Sequence, residues 1–234
     1  MVRKILITGT NRGLGFSLTK IFLEKKDIVF TLNRTLNTNL KELNEKFKDN
    51  LFIFKVDVTN EAKIQNIVQK ISKITSSIDI LINNAAVHLE EPAPDLGEIN
   101  LEIIKKTFEI NSIAPLNVIN NFIELVKNSD IKLIVNISSE AGSISNCRRE
   151  REYGYCMSKV ALNMMSQILQ NRLKNEEIKV LAIHPGWFSS KMGGEEAPIT
   201  PDDAAKNVAR IILKDWTLND PIFIDSKTGD RMNW

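Results

Sequence analysis

The sequence predicts a doubly wound α/β fold, with one parallel sheet of about seven strands and helices on both faces in three layers. Three observations predict it. Short apolar runs of strand length alternate with longer stretches of helical periodicity along the whole chain. The first apolar run breaks into Gly9-Thr10-Asn11-Arg12-Gly13-Leu14-Gly15, and a helical pattern follows at once. The 234 residues suffice for one large core, and no Pro/Gly/Ser-rich linker divides them, so residues 1–234 read as one domain.

Val2 to Thr8, V-R-K-I-L-I-T, suits a buried strand. Leu14 to Lys25 then carries Leu14, Leu18, Ile21, Phe22 and Leu23 on a helical face. A second strand is expected over Asp27 to Asn33, and a short amphipathic helix over Asn39 to Phe47 with Leu40, Leu43 and Phe47 at helical spacing. Leu51 to Val56 reads as the third strand. Thr59 or Asn60 caps the next helix, which repeats Ile64, Ile67, Val68 and Ile71. Ile78 to Ile82 is the fourth strand, followed by Asn83-Asn84-Ala85-Ala86 and a loop over His88 to Gly97.

A long helical segment runs from about Leu101 to Lys127, and Pro115 inside it predicts a kink near Asn111. Ile131 to Ile137 is the fifth strand, Tyr153 to Leu173 a helix, and Ile178 to Ile183 the sixth strand. Trp187 to Thr200 is irregular. Pro201 opens a last helix reaching Leu213, and Ile222 to Ile224 forms a final strand. In such a sheet ligands bind outside the carboxyl ends of the strands, where the strand order reverses. The polar residues Asn11, Arg34, Asp57, Asn83, Ser139 and the segment from His184 gather at those ends.

The composition, 43% hydrophobic and 26% charged, is that of a globular chain. A formal net charge of +2 without a sustained basic stripe argues against a nucleic-acid partner. Cys147 and Cys156 make no disulfide framework, and no Cys/His cluster has metal-ligand spacing. The N-terminal apolar run is too short for a signal peptide. No stretch approaches the roughly 20 apolar residues that span a bilayer. A reduced, cytoplasmic protein without membrane or metal is expected.

Candidate chemistry begins at the glycine turn. A strand that stops at glycines and reopens as a helix offers free N–H groups and a positive dipole end to phosphate, although an ordinary glycine-rich turn has the same look. Tyr155 and Lys159 lie four apart on one helix, so they share a face. An ammonium beside a phenol favours the phenolate, which turns tyrosine into a usable proton donor or acceptor. A solvated helix face has the same spacing. Ser138 and Ser139 follow the fifth strand and place a hydroxyl at the carboxyl edge. Asn111 sits where the proline distorts its helix and can bond a freed carbonyl or a water.

Taken together these motifs resemble the short-chain dehydrogenase/reductase family. They are T-G-T-N-R-G-L-G at Thr8–Gly15, Asp57-Val58, N-N-A-A at Asn83–Ala86, Asn111, I-S-S-E-A-G at Ile137–Gly142, Y-C-M-S-K at Tyr155–Lys159 and H-P-G at His184–Gly186, in family order. Within the family the chain resembles the Sniffer-type carbonyl reductases and the related C-factor proteins, through H-P-G-W at His184–Trp187, M-G-G at Met192–Gly194 and the ending F-I-D-S-K-T-G-D-R-M-N-W.

The resemblance implies a Rossmann-type sheet whose cofactor-binding part spans roughly 1–140, with the catalytic and lid part over roughly 139–234. It implies that Tyr155 protonates a carbonyl oxygen, and that Lys159 lowers the tyrosine pKa and bonds the nicotinamide ribose. Ser139, rather than Ser138, orients the carbonyl, and Asn111 holds a water in the proton relay. The cofactor supplies the hydride.

Gly9, Thr10, Asn11, Arg12, Gly13, Leu14 and Gly15 are the expected phosphate turn. Asn33 and Arg34 end the second strand without an acid, and Arg12 lies in the turn, so NADP (NADPH) is the expected cofactor. Asp57 and Val58 are expected at the adenine, Asn83 and Ala85 at its ribose, and Pro185, Gly186 and Trp187 near the nicotinamide. Ser190 or Ser189 stands for the family's threonine there.

Two departures stand out. Ala86 replaces the family glycine of N-N-A-G, which calls for a backbone adjustment if that glycine has positive φ. The charged stretch Asn146 to Glu152 borders the substrate mouth or, the reading favoured here, forms a solvated loop. His88 follows N-N-A-A-V and reads either as approaching the substrate or, the reading favoured here, as a surface-loop residue; His184 reads as structural and Cys156 as packed. Trp187, Phe188 and Met192 fall in the lid and suggest an apolar or aromatic carbonyl substrate. Reduction of a small ketone, aldehyde or quinone is the expected activity. A C-factor-like signalling protein with little turnover is the alternative, and a methyltransferase would leave the Tyr-Lys pair unexplained. Helices carrying Asn111 and Tyr155 form subunit contacts in many relatives, so a homodimer or homotetramer is expected.

Overall fold

In the computed structural model, which describes residues 2–90 and 92–234, seven parallel strands form one sheet in the order β3-β2-β1-β4-β5-β6-β7. The strands are β1 (Lys4–Thr8), β2 (Ile28–Asn33), β3 (Leu51–Lys55), β4 (Ile80–Asn83), β5 (Leu133–Ile137), β6 (Lys179–His184) and β7 (Phe223–Asp225). β1 pairs with both β2 and β4, as in Ile5 opposite Val29 and opposite Ile80. The chain winds outward from β1 to β3 and then returns to start the other half at β4. The crevice of the fold therefore opens at the carboxyl ends of β1 and β4.

Successive side chains of a strand point to opposite faces, and both faces here are covered by helices, so the strands are mostly apolar on both faces. Ile5, Ile7, Ile80, Ile82, Leu133 and Val135 belong to one core. That core includes Leu14, Leu18 and Phe22 of α1 (Gly13–Glu24), Leu40 and Leu43 of α2 (Thr38–Lys46), and Val208 and Ile212 of α7 (Pro201–Ile212). The intervening residues Leu6, Leu81, Ile134 and Val180 belong to the opposite core, with Ile64, Ile67 and Ile71 of α3 (Glu61–Ser72) and Val118 and Phe122 of α5 (Ala114–Lys127).

Caps explain where several helices start. The side chains of Asn37, Asn60 and Thr200 accept from the backbone of Leu40, Lys63 and Asp203. Asn60, rather than Thr59, is thus the cap of α3. Strand and helix limits otherwise shift by at most two residues from the sequence reading, the usual latitude at element ends. The first strand begins at Lys4, for instance, because Val2 is exposed.

The long segment from Leu101 to Lys127 is divided. α4 (Leu101–Phe108) runs into a π-helical turn over Glu109–Ile113, and α5 follows. Pro115 has no N–H to give to the carbonyl of Asn111, so the regular ladder fails there and one wide turn absorbs the mismatch. The expected kink is this π-turn. It buries Asn111 and Ser112 against α6 (Tyr153–Leu173), where the Ser112 hydroxyl donates to the Ser158 carbonyl at 2.8 Å. The chain ends on the same side of the sheet: Trp234 stacks on Phe223 at 5.1 Å, and its carbonyl accepts from Ser145 N at 2.9 Å. Among the described residues no helix is long and apolar enough to cross a membrane.

Candidate active site

A cleft of about 1400 Å³ opens along the carboxyl edge of the sheet. The glycine turn and Arg34 line it, and so do Ser139, Tyr155, Lys159 and the segment Pro185–Gly193. The turn is held by short polar contacts. Asn33 Oδ1 accepts from Thr10 N at 2.6 Å, Asn37 Nδ2 donates to the Asn11 carbonyl at 2.5 Å, and Asn11 Nδ2 donates to Thr35 Oγ1 at 2.8 Å. Asn84 Nδ2 donates to the carbonyls of Thr8 and Gly9, both at 2.9 Å, which ties β4 to β1 across the switch point. Gly9 has φ +72, and a Cβ on it would stand 2.8 Å from Ala85 Cα, so glycine is required by both conformation and space.

This end of the cleft is built for an anion. The first turn of α1 has no acidic residue and its N-cap, Arg12, makes no side-chain capping bond, so the helix N-terminus keeps its donors for a ligand. A Cβ at Gly13 would meet nothing within 4 Å, which leaves open space beside that terminus. Arg12 and Arg34 both line the cleft and are exposed. The nearby carboxylate, Asp57, is directed onto Thr59, whose N–H and hydroxyl lie at 3.1 and 2.8 Å. Burial raises its pKa, but the Thr59 bonds and Arg34 outweigh that and hold it below the ordinary carboxylate value. The turn, the arginines and the open space fit a phosphorylated dinucleotide.

At the other end, Tyr155 and Lys159 meet Ser139. Ser139 follows β5 in extended conformation, with its Oγ accepting from Ala141 N at 3.1 Å, and its hydroxyl is near enough to the Tyr155 phenol to favour the phenolate. Ser138 is buried elsewhere and donates to Asn163 Oδ1 at 2.6 Å, so Ser139 is the serine that meets the tyrosine. Lys159 is 2% exposed, and its Nζ donates to the Ile137 carbonyl at 2.9 Å and stands 5.9 Å from the Tyr155 ring centre. Burial pushes the Lys159 pKa down to about 8. Tyr155 keeps part of its surface open to the cleft, yet the surrounding protein pushes its pKa up to about 12 against the opposing Ser139 hydroxyl and the Arg149 charge. Desolvation dominates at Tyr155, and the expected lowering of its pKa by Lys159 does not offset it.

Three expected site residues do not line the cleft. Thr10 is buried on Asn33. Asn83 spends its amide nitrogen on Asn136 Oδ1 at 2.9 Å inside the sheet, and the neighbouring Asn84 and Ala85 take the cleft wall. Asn111 is 1% exposed, and its side chain bonds the Val87 N–H and carbonyl, both at 2.8 Å, and Ser158 Oγ at 3.1 Å. It therefore bonds a carbonyl, but one from another loop. Gly9, Asn11, Leu14, Gly15, Asn33, Val58, Gly186, Trp187, Ser189 and Ser190 all line the cleft. Ser190 Oγ accepts from Gly193 N at 2.8 Å, which leaves its proton available. Ala86 stays out of the left-handed region, so its methyl needs no backbone adjustment.

Two sequence expectations are corrected. His88 is no surface-loop residue: its ring packs on that of Tyr155 at 4.7 Å and its Nε2 lies 3.4 Å from Glu152 Oε1. The charged stretch before Tyr155 is not simply solvated, because Arg149 and Glu152 line the cleft, with Arg149 paired to Glu140 at 2.5 Å and to Glu152. The sequence carried no signal for Glu90, which is buried and bonded to Tyr155 N at 2.8 Å. His184 accepts from Glu140 N at 3.1 Å, a structural role as expected. Cys156 is half-buried, and burial pushes its pKa up to about 11, as suits a packed thiol. Trp187 donates its indole N–H to the Gly193 carbonyl at 2.7 Å, which braces the lid segment.

A sequence profile described as short chain dehydrogenase matches residues 3–199. The fold matches the carbonyl reductase Sniffer of D. melanogaster with a TM-score of 0.91 and 26% identity, covering 100% of both chains. It also matches an NADPH-bound carbonyl reductase from chicken fatty liver, with a TM-score of 0.89, 27% identity and coverage of 100% of this chain and 99% of that one. C-signal of Myxococcus xanthus is 31% identical over 138 residues, 59% of this chain and 82% of that protein.

The buried lysine makes stability depend on pH. The folded chain releases the Lys159 proton at about 8, whereas the unfolded chain holds it to its ordinary 10.5. Between those values the unfolded state binds more protons, so this group makes stability rise with pH. Urea unfolding at about pH 7.5 and about pH 9.5 should show a smaller gain for Lys159→Met than for the unsubstituted chain. Equal gains would contradict the assignment.

Proposed function

Because this chain belongs to the short-chain dehydrogenase family, we propose that it is an NADPH-dependent reductase of ketones, aldehydes or quinones, with Tyr155 as the proton donor. The observation that carries this reading is that Ser139, Tyr155 and buried Lys159 line one end of a cleft whose other end is a glycine turn opening an uncapped helix. When bound, the nicotinamide cofactor supplies hydride to the carbonyl carbon. The rest of the work falls to the chain.

Ser139 and Tyr155 together offer hydroxyls to one carbonyl oxygen and fix its direction. A tyrosine with its pKa raised to about 12 keeps its proton at neutral pH and so approaches the carbonyl as an acid. The Lys159 ammonium, held in place by the Ile137 carbonyl, stabilises the phenolate as the proton leaves. Asn111 fixes Val87 and Ser158 beside the tyrosine and acts here through position. Arg12 and Arg34 form the cationic pair that a 2′-phosphate calls for, with no carboxylate competing at the end of β2. Solved neighbours support this choice, since a short-chain dehydrogenase/reductase from Burkholderia multivorans binds NADP and the carbonyl reductase from chicken fatty liver binds NADPH. The likeness to C-signal favours a second reading, a dinucleotide-binding signalling protein with little turnover. A tuned Ser-Tyr-Lys set would be superfluous in such a protein.

The same reading includes a homodimer or homotetramer. Ile113, Leu116, Met157, Met164 and Ile168 expose apolar side chains along the π-turn, α5 and α6, and a second copy presenting the same face would bury them. Light scattering on the eluting protein should report a dimer or tetramer, and Met164→Glu should shift it to monomer. A monomer at every concentration would refute the interface.

Kinetics test the chemistry. Tyr155→Phe should cut NADPH-dependent turnover by about a hundredfold or more while leaving NADPH affinity within about twofold. Arg34→Ala should lower the preference for NADPH over NADH by about tenfold or more. Equal use of both cofactors by the unsubstituted protein would overturn the charge argument.

A further inference from the structure

Glu90 has no part in the reaction as described, yet it is 4% exposed and lies against the tyrosine's own backbone. Its Oε2 accepts the Tyr155 N–H at 2.8 Å from a loop 65 residues away. The first N–H groups of a helix lack intrahelical acceptors, and the positive end of the helix attracts a carboxylate. α6 has few local means to meet that need. Its N-cap, Glu152, is left-handed at φ 64 and makes no side-chain capping bond, and its first turn contains no acid. Glu90 supplies the acceptor from outside the helix.

The surroundings are shaped for this contact. A Cβ at residue 154 would stand 2.9 Å from Glu90 Oε2 and 3.1 Å from Ile104 Cγ1, so Gly154 leaves the carboxylate its approach. Three residues before Glu90, the backbone of Val87 is gripped on both sides by Asn111 of the π-turn. Between these anchors the His88 ring packs on the Tyr155 ring. Residues 87–90 thus form a strap, fixed at one end to the π-turn and at the other to the first turn of α6.

We propose that Glu90 is a positioning residue for carbonyl reduction: it caps α6 at Tyr155 and holds the phenol in line with Ser139. The inference rests on the reading of Tyr155 as the proton donor, but the contact is open to a test that needs no turnover. Amide hydrogen exchange at Tyr155 in the free protein should quicken by about tenfold in Glu90→Ala, with the amides of β5 unchanged. In the same variant kcat for a quinone or dione with NADPH should fall by about tenfold or more while the Kd for NADPH holds.

Glu90→Gln keeps an amide oxygen as acceptor and should restore both quantities to within about threefold. An unchanged Tyr155 exchange rate in Glu90→Ala, an unchanged kcat in an active enzyme, or a Gln variant as impaired as the Ala variant would each overturn the proposal. If the unsubstituted protein reduces no carbonyl, the functional reading fails, and the exchange rates alone still decide the role of Glu90.

Discussion

One buried ammonium ties α6 to the sheet. Lys159 lies almost without solvent against the carboxyl end of β5, and its Nζ donates to the Ile137 carbonyl. Removing a charge from water is costly, and the depressed pKa of this lysine is the sign of that cost. Supporting contacts share the load along the same seam. Asn163 Nδ2 donates to the Gly142 carbonyl at 2.9 Å, Ser138 donates to Asn163, and Asn136 Nδ2 donates to Ser166 Oγ at 2.8 Å. With α6 so fastened, Tyr155 meets Ser139 and the cleft has its reactive end.

The two ends of the cleft differ in charge. Around the glycine turn the free helix terminus and two exposed arginines make an electropositive cradle. Around Tyr155 the wall carries Glu90, Glu140 and Glu152, with Arg149 bridging the last two. Under the proposed function, this polarity would draw a dinucleotide's phosphates to the first end and leave the second to its nicotinamide. The apolar lid residues Trp187, Phe188 and Met192 complete the far wall.

The sheet was legible in the sequence because its physics is local: strands buried on both faces are largely apolar, and glycine marks the turn where the backbone after β1 approaches Ala85. The meeting of Tyr155, Lys159 and Ser139 was legible, since Tyr155 and Lys159 share one face of α6 and Ser139 follows β5 at the carboxyl edge. What escaped notice depends on distance along the chain. Glu90 and His88 sit in a loop with no periodicity, and only the folded chain brings them to Tyr155. Asn83 looked like a cleft residue because it ends a strand, but alternation turns it to Asn136 and leaves the cleft to Asn84. The charged stretch before Tyr155 looked solvated because composition cannot show that Arg149 would find Glu140.

The central claim is that this cleft carries hydride from a bound nicotinamide to a carbonyl carbon. The direct test is to incubate the protein with NADPH deuterated at the transferring position and a quinone, a dione and an aromatic aldehyde, and to analyse the products by mass spectrometry. The account predicts an alcohol or hydroquinone from at least one of them, with deuterium on the carbinol carbon when a ketone or aldehyde reacts. Tight NADPH binding with the deuterium retained on the cofactor in every case would contradict it.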